Sequence, residues 1–193
     1  MDEKDLCGAC GLCCDGPLFS HVELTREEEP VMRRHGVPLF QQGARLASAQ
    51  PCAAHRGDHC GVYAERPKSC AEYRCALLRR VDAGEVGRTE ALGRVAEARA
   101  LIAGLRALIR PAPSTPERAN DPSAAPRNLW DAIAAWIAVD GALPDTRARR
   151  RAHRTLVGEA AVVASFLRRY FEANLRQSLP PNSAAPRPVT DLV

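Results

Sequence analysis

The sequence lacks the features that direct a chain to export or into a membrane. Its first six residues are mostly charged and lead straight into a cysteine, so they contain no apolar segment of the kind found in secretory signals. No stretch reaches the roughly 18 consecutive apolar residues that a membrane span requires. We therefore expect a cytoplasmic protein that does not associate with membranes.

Aromatic residues are also scarce. They make up 5% of the 193 residues, whereas apolar residues make up 46%, so Ala, Leu and Val must supply most of the buried surface. Such a composition favours helix. The length suits one medium-sized domain or two small ones and excludes a large multidomain assembly.

Lysine is nearly missing, because only Lys4 and Lys68 occur among 27 basic residues, and the net charge of +4 is too small to indicate a polyanionic partner. The densest basic run lies between residues 147 and 154. If this run is helical, Arg147, Arg150, Arg151 and Arg154 share one face. A solvated helix face is the favoured interpretation, since few aromatic residues are available for base stacking, and nucleic-acid binding is the less favoured alternative.

Cysteine is confined to one part of the chain: all eight cysteines precede residue 76. In the same first 75 residues, Leu, Ile, Val and Phe number only 12, or 16%, which is below the roughly 20% under which a chain struggles to bury a core. We expect thiolate-bound metal, rather than apolar packing, to hold this segment.

The first cysteines follow one another at metal-ligand spacing. Residues 7–14 read CGACGLCC, so three thiols recur every third residue and a fourth follows at once. Bacterial ferredoxins use a related run in which the first three thiolates share a cubane. This run therefore indicates Cys7, Cys10 and Cys13 on one centre, with an unidentified distal cysteine completing it.

Three interpretations of the eight thiols remain open. A disulfide framework is disfavoured because no export signal is present. Zinc in closed four-thiolate sites is the second, and an iron–sulfur cluster, most simply 4Fe–4S, is favoured because the repeated two-residue spacing resembles cubane ligation. Cys60, Cys70 and Cys75 lack a clean C-x-x-C, which favours one shared centre over two independent knuckles.

The cysteine pattern as a whole resembles the CxxCxxCC, or YkgJ-type, cysteine-cluster family. Besides residues 7–14, the resemblance rests on Cys52 and on the stretch 60–75, CGVYAERPKSCAEYRC. It implies a zinc- or iron-chelating domain with Tyr63, Arg66 and Pro67 in supporting positions. The ligands implied are all the cysteines: Cys7, Cys10, Cys13, Cys14, Cys52, Cys60, Cys70 and Cys75.

The predicted fold class is mainly α, with a small irregular β-hairpin. We expect a cysteine-cluster metal module over residues 1–110, packed against or tethered to a helical segment. The segments expected after it are a Pro-rich linker or loop at 111–127, a helical hairpin at 128–180 and a disordered tail at 181–193.

The local patterns predict several elements. They are a strand within 18–24, a helix after the Thr25-x-x-Glu28 capping box that ends by Gly36, an irregular hairpin at 45–63, a helix opened by Pro67, and longer helices at 89–110, from Asn128 to Gly141 and at 146–178.

Some polar residues near the thiols carry weaker signals. His55 and His59 flank a turn, where solvated histidines are favoured over metal ligands. Arg66 is expected either to donate hydrogen bonds to cluster sulfurs or to form an ion pair, and Tyr63 and Tyr73 to pack near the centre. The leading functional hypothesis is an iron–sulfur protein that transfers electrons to a protein partner or assists an enzymatic reaction. The alternative is a zinc-stabilised interaction module.

Overall fold

The computed structural model describes residues 3–57, 59–109, 128–141 and 144–171. Within them the chain is mainly helical, with one small antiparallel sheet, which confirms the predicted fold class. In chain order the elements are α1 (Glu3–Cys10), β1 (His21–Leu24), α2 (Glu29–Arg34), β2 (Leu39–Gln42), β3 (Arg45–Ala49), a 3-10 turn (Tyr63–Glu65), α3 (Lys68–Glu72), α4 (Ala76–Asp82), α5 (Arg88–Leu108), α6 (Leu129–Gly141) and α7 (Arg147–Phe171).

The three long helices lie where the apolar spacing predicted them. On α7, Leu156, Val163, Leu167 and Phe171 form a buried stripe along one face. None of the described helices combines the length and the apolar content that crossing a lipid bilayer demands. The predicted linker at 111–127, the predicted extension of the last helix to 178 and the predicted tail lie outside the described residues.

The cysteine-rich part is more regular than its sequence indicates. Helices α1 and α4 were not predicted, and β2 pairs with β3 to add a hairpin that the apolar pattern did not reveal. β3 is the central strand of the order β1-β3-β2, and its Leu46 and Ser48 pair with Leu24 and Val22 of β1. The sheet is small because its strands hold only four or five residues each.

Two apolar cores are buried in the described residues. The larger one packs α4, α5, α6 and α7 together with Leu6, Leu12 and Leu18 from the cysteine-rich part. The smaller one lies between the sheet and α2, and its members are Leu24, Met32, Val37, Leu39, Leu46, Ala54 and Val62. The cysteine-rich part therefore contributes its few large apolar side chains to two separate cores.

The start of α6 packs directly on the segment that follows the first cysteines. Asn128 is 2% exposed, and its Oδ1 accepts hydrogen bonds from Trp130 N at 2.8 Å and Asp131 N at 3.0 Å, as the predicted helix cap requires. The indole of Trp130 donates to the carbonyl of Pro17 at 2.9 Å. Gly16 has a φ of +92° and lies so close that a Cβ there would meet Asn128 Cβ at 3.1 Å.

We expect Asn128→Ala to lower the free energy of unfolding by about 1 to 2 kcal/mol, because it removes a buried helix cap. Urea denaturation of the protein as purified measures this change. Thr146→Ala is the matched control, since Thr146 Oγ1 accepts from Arg149 N at 3.2 Å in an exposed position and its loss is expected to cost about 0.5 kcal/mol. Equal effects of the two substitutions would contradict the structural role given to Asn128.

Candidate metal centre

All eight cysteines line one cavity of about 420 Å³. None of them forms a disulfide bond, and each is of intermediate exposure. They come from positions up to 68 residues apart in the chain, so the fold, rather than local spacing alone, brings them together. The structure thus places every sequence-predicted ligand on the wall of the same cavity.

The first thiols lie on α1 and in the tight turn that follows it. Cys7 and Cys10 belong to the helix, and Gly11 continues the chain with a φ of +64°. The Gly11 carbonyl accepts from Cys14 N at 3.0 Å and from Asp15 N at 2.9 Å, which closes the turn that carries Cys13 and Cys14. A Cβ at Gly11 would lie 3.0 Å from His55 Nε2, so both the backbone conformation and the neighbouring ring require glycine here.

Cys52 and Cys60 reach the same region through a short backbone network. Cys52 N donates to the Cys14 carbonyl at 2.8 Å, which joins the second cysteine segment to the first. His55 and Cys60 form an antiparallel bridge, and Gly61 N donates to the carbonyl of Ala54 at 2.8 Å. The irregular hairpin predicted at 45–63 is therefore limited to this bridge, because residues 45–49 form β3 of the sheet.

Cys70 and Cys75 occupy two short helices that follow one another. Cys70 lies on α3, whose start is fixed by Glu28: the backbone N of Lys68 donates to Glu28 Oε1 at 2.6 Å, and the other carboxylate oxygen of Glu28 accepts from Thr25 N. Cys75 lies beyond α3 and caps α4, where its sulfur accepts from Leu78 N at 3.4 Å.

Burial dominates the electrostatics of the first thiols. It is the main reason that the pKa of Cys10 is raised to about 12; a backbone hydrogen bond from Leu12 opposes this rise, and the charges of Cys75 and Cys7 contribute to it. Burial also raises the pKa of Cys13 well above its ordinary value, with Cys10 and Cys75 as the next largest influences. Cys10 and Cys13 therefore lie within electrostatic reach of both Cys7 and Cys75, and Cys13 also lies within reach of Cys14.

The other thiols show the same behaviour among themselves. Burial raises the pKa of Cys14 to about 12, followed by the charges of Cys52, Cys60 and Cys70 in that order. The pKa of Cys70 is likewise raised to about 12, mainly by burial and then by the charges of Cys52 and Cys60. The consecutive residues Cys13 and Cys14 thus couple most strongly to different partners.

Arginines next to the thiols lower the pKa that burial raises. Burial and backbone hydrogen bonds have the largest effects on the pKa of Cys75, and Arg79 then lowers it. Arg99 lowers the pKa of Cys10, with an effect smaller than those of burial, a backbone hydrogen bond and the charges of two cysteines. Arg99 also donates to the Ala9 carbonyl at 2.9 Å. A guanidinium beside a thiolate offsets part of its negative charge, so these side chains favour the ionised form that binds metal.

The donor set fits a metal centre chemically. Buried thiols with a raised pKa are protonated and neutral near pH 7, and only a cation at close range stabilises several adjacent thiolates. Among the described His, Cys, Asp and Glu side chains, no group of three is arranged to hold a single metal ion. The thiols instead surround a cavity.

The supporting residues expected from the sequence lie beside these thiols. The guanidinium of Arg66 stacks 4.3 Å from the ring centroid of Tyr63, and after burial and the Cys52 and Cys60 charges it lowers the pKa of Cys70. Tyr73 packs edge-on against Phe19, with ring centroids 4.7 Å apart. All of these side chains except Phe19 were singled out from the sequence, and all of them line the cavity.

The sequence favoured solvated histidines at 55 and 59, and only one of the two is exposed. His59 is exposed, but His55 is partly buried against Gly11, and both line the cavity. Sequence reasoning also missed Gln50, which is 2% exposed, lines the cavity and has a side-chain oxygen with no hydrogen-bond partner. Polar spacing gave no signal for Gln50, because its burial depends on the sheet that was not predicted.

The basic run at 147–154 is distant in sequence from the cysteines and occupies the first turns of α7. Arg147, Arg150, Arg151 and Arg154 are all exposed, as expected for a solvated helix face. Arg150 forms an ion pair with Asp145 at 2.5 Å. Nothing in these contacts favours the nucleic-acid alternative over solvation.

Comparison with known proteins identifies a family for the cysteine-rich part. Residues 6–93, a little under half of the chain, match the family model CxxCxxCC, whose description is "Putative zinc- or iron-chelating domain". No protein among the curated sequences and no solved structure matches the chain. The family match spans all eight cysteines, α2 to α4 and the start of α5. Residues 6–93 of this chain are therefore similar to the CxxCxxCC family.

Proposed function

We propose that this chain is an iron–sulfur protein that transfers electrons through a cluster held by its cysteines. The observation that carries the proposal is the convergence of eight partly buried thiols on one cavity. The family match supports metal binding, with zinc or iron as the metal. The choice of an iron–sulfur cluster over zinc is ours.

The size of the cavity leaves room for a cluster. A zinc ion binds four thiolates at about 2.3 Å. The thiols line a cavity of about 420 Å³, which has room for one or more groups of several atoms. The repeated two-residue spacing of Cys7, Cys10 and Cys13 agrees with this choice, because ferredoxins use it for cubane ligation.

The cysteines would hold the cluster, which when bound supplies a one-electron redox couple. The surrounding residues keep it away from bulk water: Leu12, Leu18 and Leu78 line the cavity and are at most 2% exposed. Arg66 and Arg99 place positive charge beside the thiolates. Because burial and nearby charge set the potential of such a centre, these contacts would tune it for a redox partner.

We expect anoxically purified protein to be brown, with a broad absorption band near ~400 nm and with iron and acid-labile sulfide in equal amounts. Metal and sulfide analysis together with the absorption spectrum measures this. Colourless protein that contains zinc and no sulfide would contradict the proposal and support a zinc-stabilised interaction module instead.

We also expect metal binding to release protons. Burial raises the pKa of Cys10, Cys14 and Cys70 to about 12, so these thiols are protonated at pH 7.5 in the metal-free protein, whereas bound thiolates carry no proton. Addition of Zn²⁺ as a simple probe to weakly buffered, reduced, metal-free protein should release about one proton for each thiol that binds.

Because metal binding releases protons, the affinity of the thiols for metal should depend on pH. Since protons compete with the metal for the same sulfurs, the affinity for Zn²⁺ should rise between pH 6.5 and pH 8.5. Chelator competition at the two pH values measures it. An affinity that does not change with pH, together with no proton release, would show that the thiols are not the ligands.

A further inference from the structure

We infer that the eight thiols form two separate four-thiolate centres, one from Cys7, Cys10, Cys13 and Cys75 and the other from Cys14, Cys52, Cys60 and Cys70. The inference rests on the proposed function in that it requires metal to bind these thiols. It differs from the single shared centre that the cysteine spacing favoured.

Packing separates the thiols first. Cys7, Cys10, Cys13 and Cys75 all pack against the larger core, which is built by α4 to α7. Cys52 and Cys60 pack against the smaller core, which lies between the sheet and α2. Because the two cores share no residue, the cysteines on them are held by different parts of the fold.

The positions of Cys14 and Cys70 follow from backbone contacts. Cys14 joins the second group because its carbonyl accepts from Cys52 N at 2.8 Å. Cys70 lies on α3, which packs on β1 at the edge of the sheet, where Ser69 Oγ donates to the Glu23 carbonyl at 2.7 Å. Both thiols are therefore attached to the side of the fold that contains the smaller core.

This division explains why two cysteines are adjacent in the sequence. In a run of C-x2-C-x2-C, a fourth cysteine with no spacer is poorly placed to join the first three on one centre. If Cys13 is a ligand of the first centre and Cys14 is a ligand of the second, each of the two adjacent cysteines has its own role. The Cα atoms of neighbouring residues are about 3.8 Å apart, so the two centres would lie side by side.

The test is anoxic native mass spectrometry of the full chain, which counts metal centres by their mass whichever metal they contain. We expect the wild-type chain to carry two equivalent increments, each the mass of one iron–sulfur cluster. Two zinc ions would overturn the proposed function but support this inference. A single increment, or none in fully reduced protein, would overturn the inference.

Three double variants, each lacking two thiols, then test the division. Cys10→Ser/Cys75→Ser removes ligands from the first centre alone, and Cys60→Ser/Cys70→Ser removes ligands from the second centre alone. Each of these variants should therefore keep one centre with an unaltered spectrum, and its metal content should fall twofold. Cys10→Ser/Cys70→Ser, the matched control, removes one ligand from each centre and should keep no unaltered centre.

The division is wrong if the crossed variant retains an unaltered centre, or if either within-centre variant loses all metal while its helical circular dichroism stays at the wild-type level. Should a variant fail to fold, the wild-type count of one centre or two still decides the question.

Discussion

Desolvation of thiols is the constraint on which the cysteine-rich part of this protein depends. Burial raises the pKa of Cys10, Cys13 and Cys14, so none of these sulfurs is stable as a thiolate without a cation nearby. Four arginines lower the pKa of nearby thiols, and they offset only part of the negative charge that the thiolates would carry. We propose that bound metal offsets the rest and at the same time links segments that are distant in the chain.

The helical part of the chain supports this arrangement. α5 contacts α1 and α7, and two of its arginines hold the cysteine turn from outside: Arg99 binds the Ala9 carbonyl, and Arg106 binds both the carbonyl and the carboxylate of Asp15. Trp130 of α6 reaches Pro17 just beyond the turn. The residues after 93, which the family match does not cover, therefore contribute directly to the position of Cys7 to Cys14.

The sequence predicted the parts of this fold that depend on local patterns. The stripe of Leu156, Val163 and Leu167 was enough to place α7, and Asn128 was enough to place the start of α6, because periodicity and caps act within a few residues. The candidate ligands were also evident, since cysteine spacing is a local signal. In contrast, β2 has a strand sequence of only four residues, LFQQ, and its pairing with β3 gave no local signal.

What the sequence could not supply was the assignment of thiols to neighbours. Cys75 is 62 residues from Cys13 in the chain, and only the packing of α4 against the larger core brings the two together. The burial of Gln50 and the contact of His55 with Gly11 have the same origin, because both depend on tertiary structure. Long-range contacts of this kind leave no periodic trace.

The central claim is that metal–sulfur bonds, in addition to the two apolar cores, are needed to hold the cysteine-rich part in shape. Hydrogen–deuterium exchange of the protein before and after anoxic removal of metal, with the thiols kept reduced, tests it most directly. We expect the amides of Asp15, Cys52 and Gly61 to lose protection, while the interior of α5 and α7 stays protected. Unchanged protection of those three amides in the metal-free, reduced protein would contradict the claim.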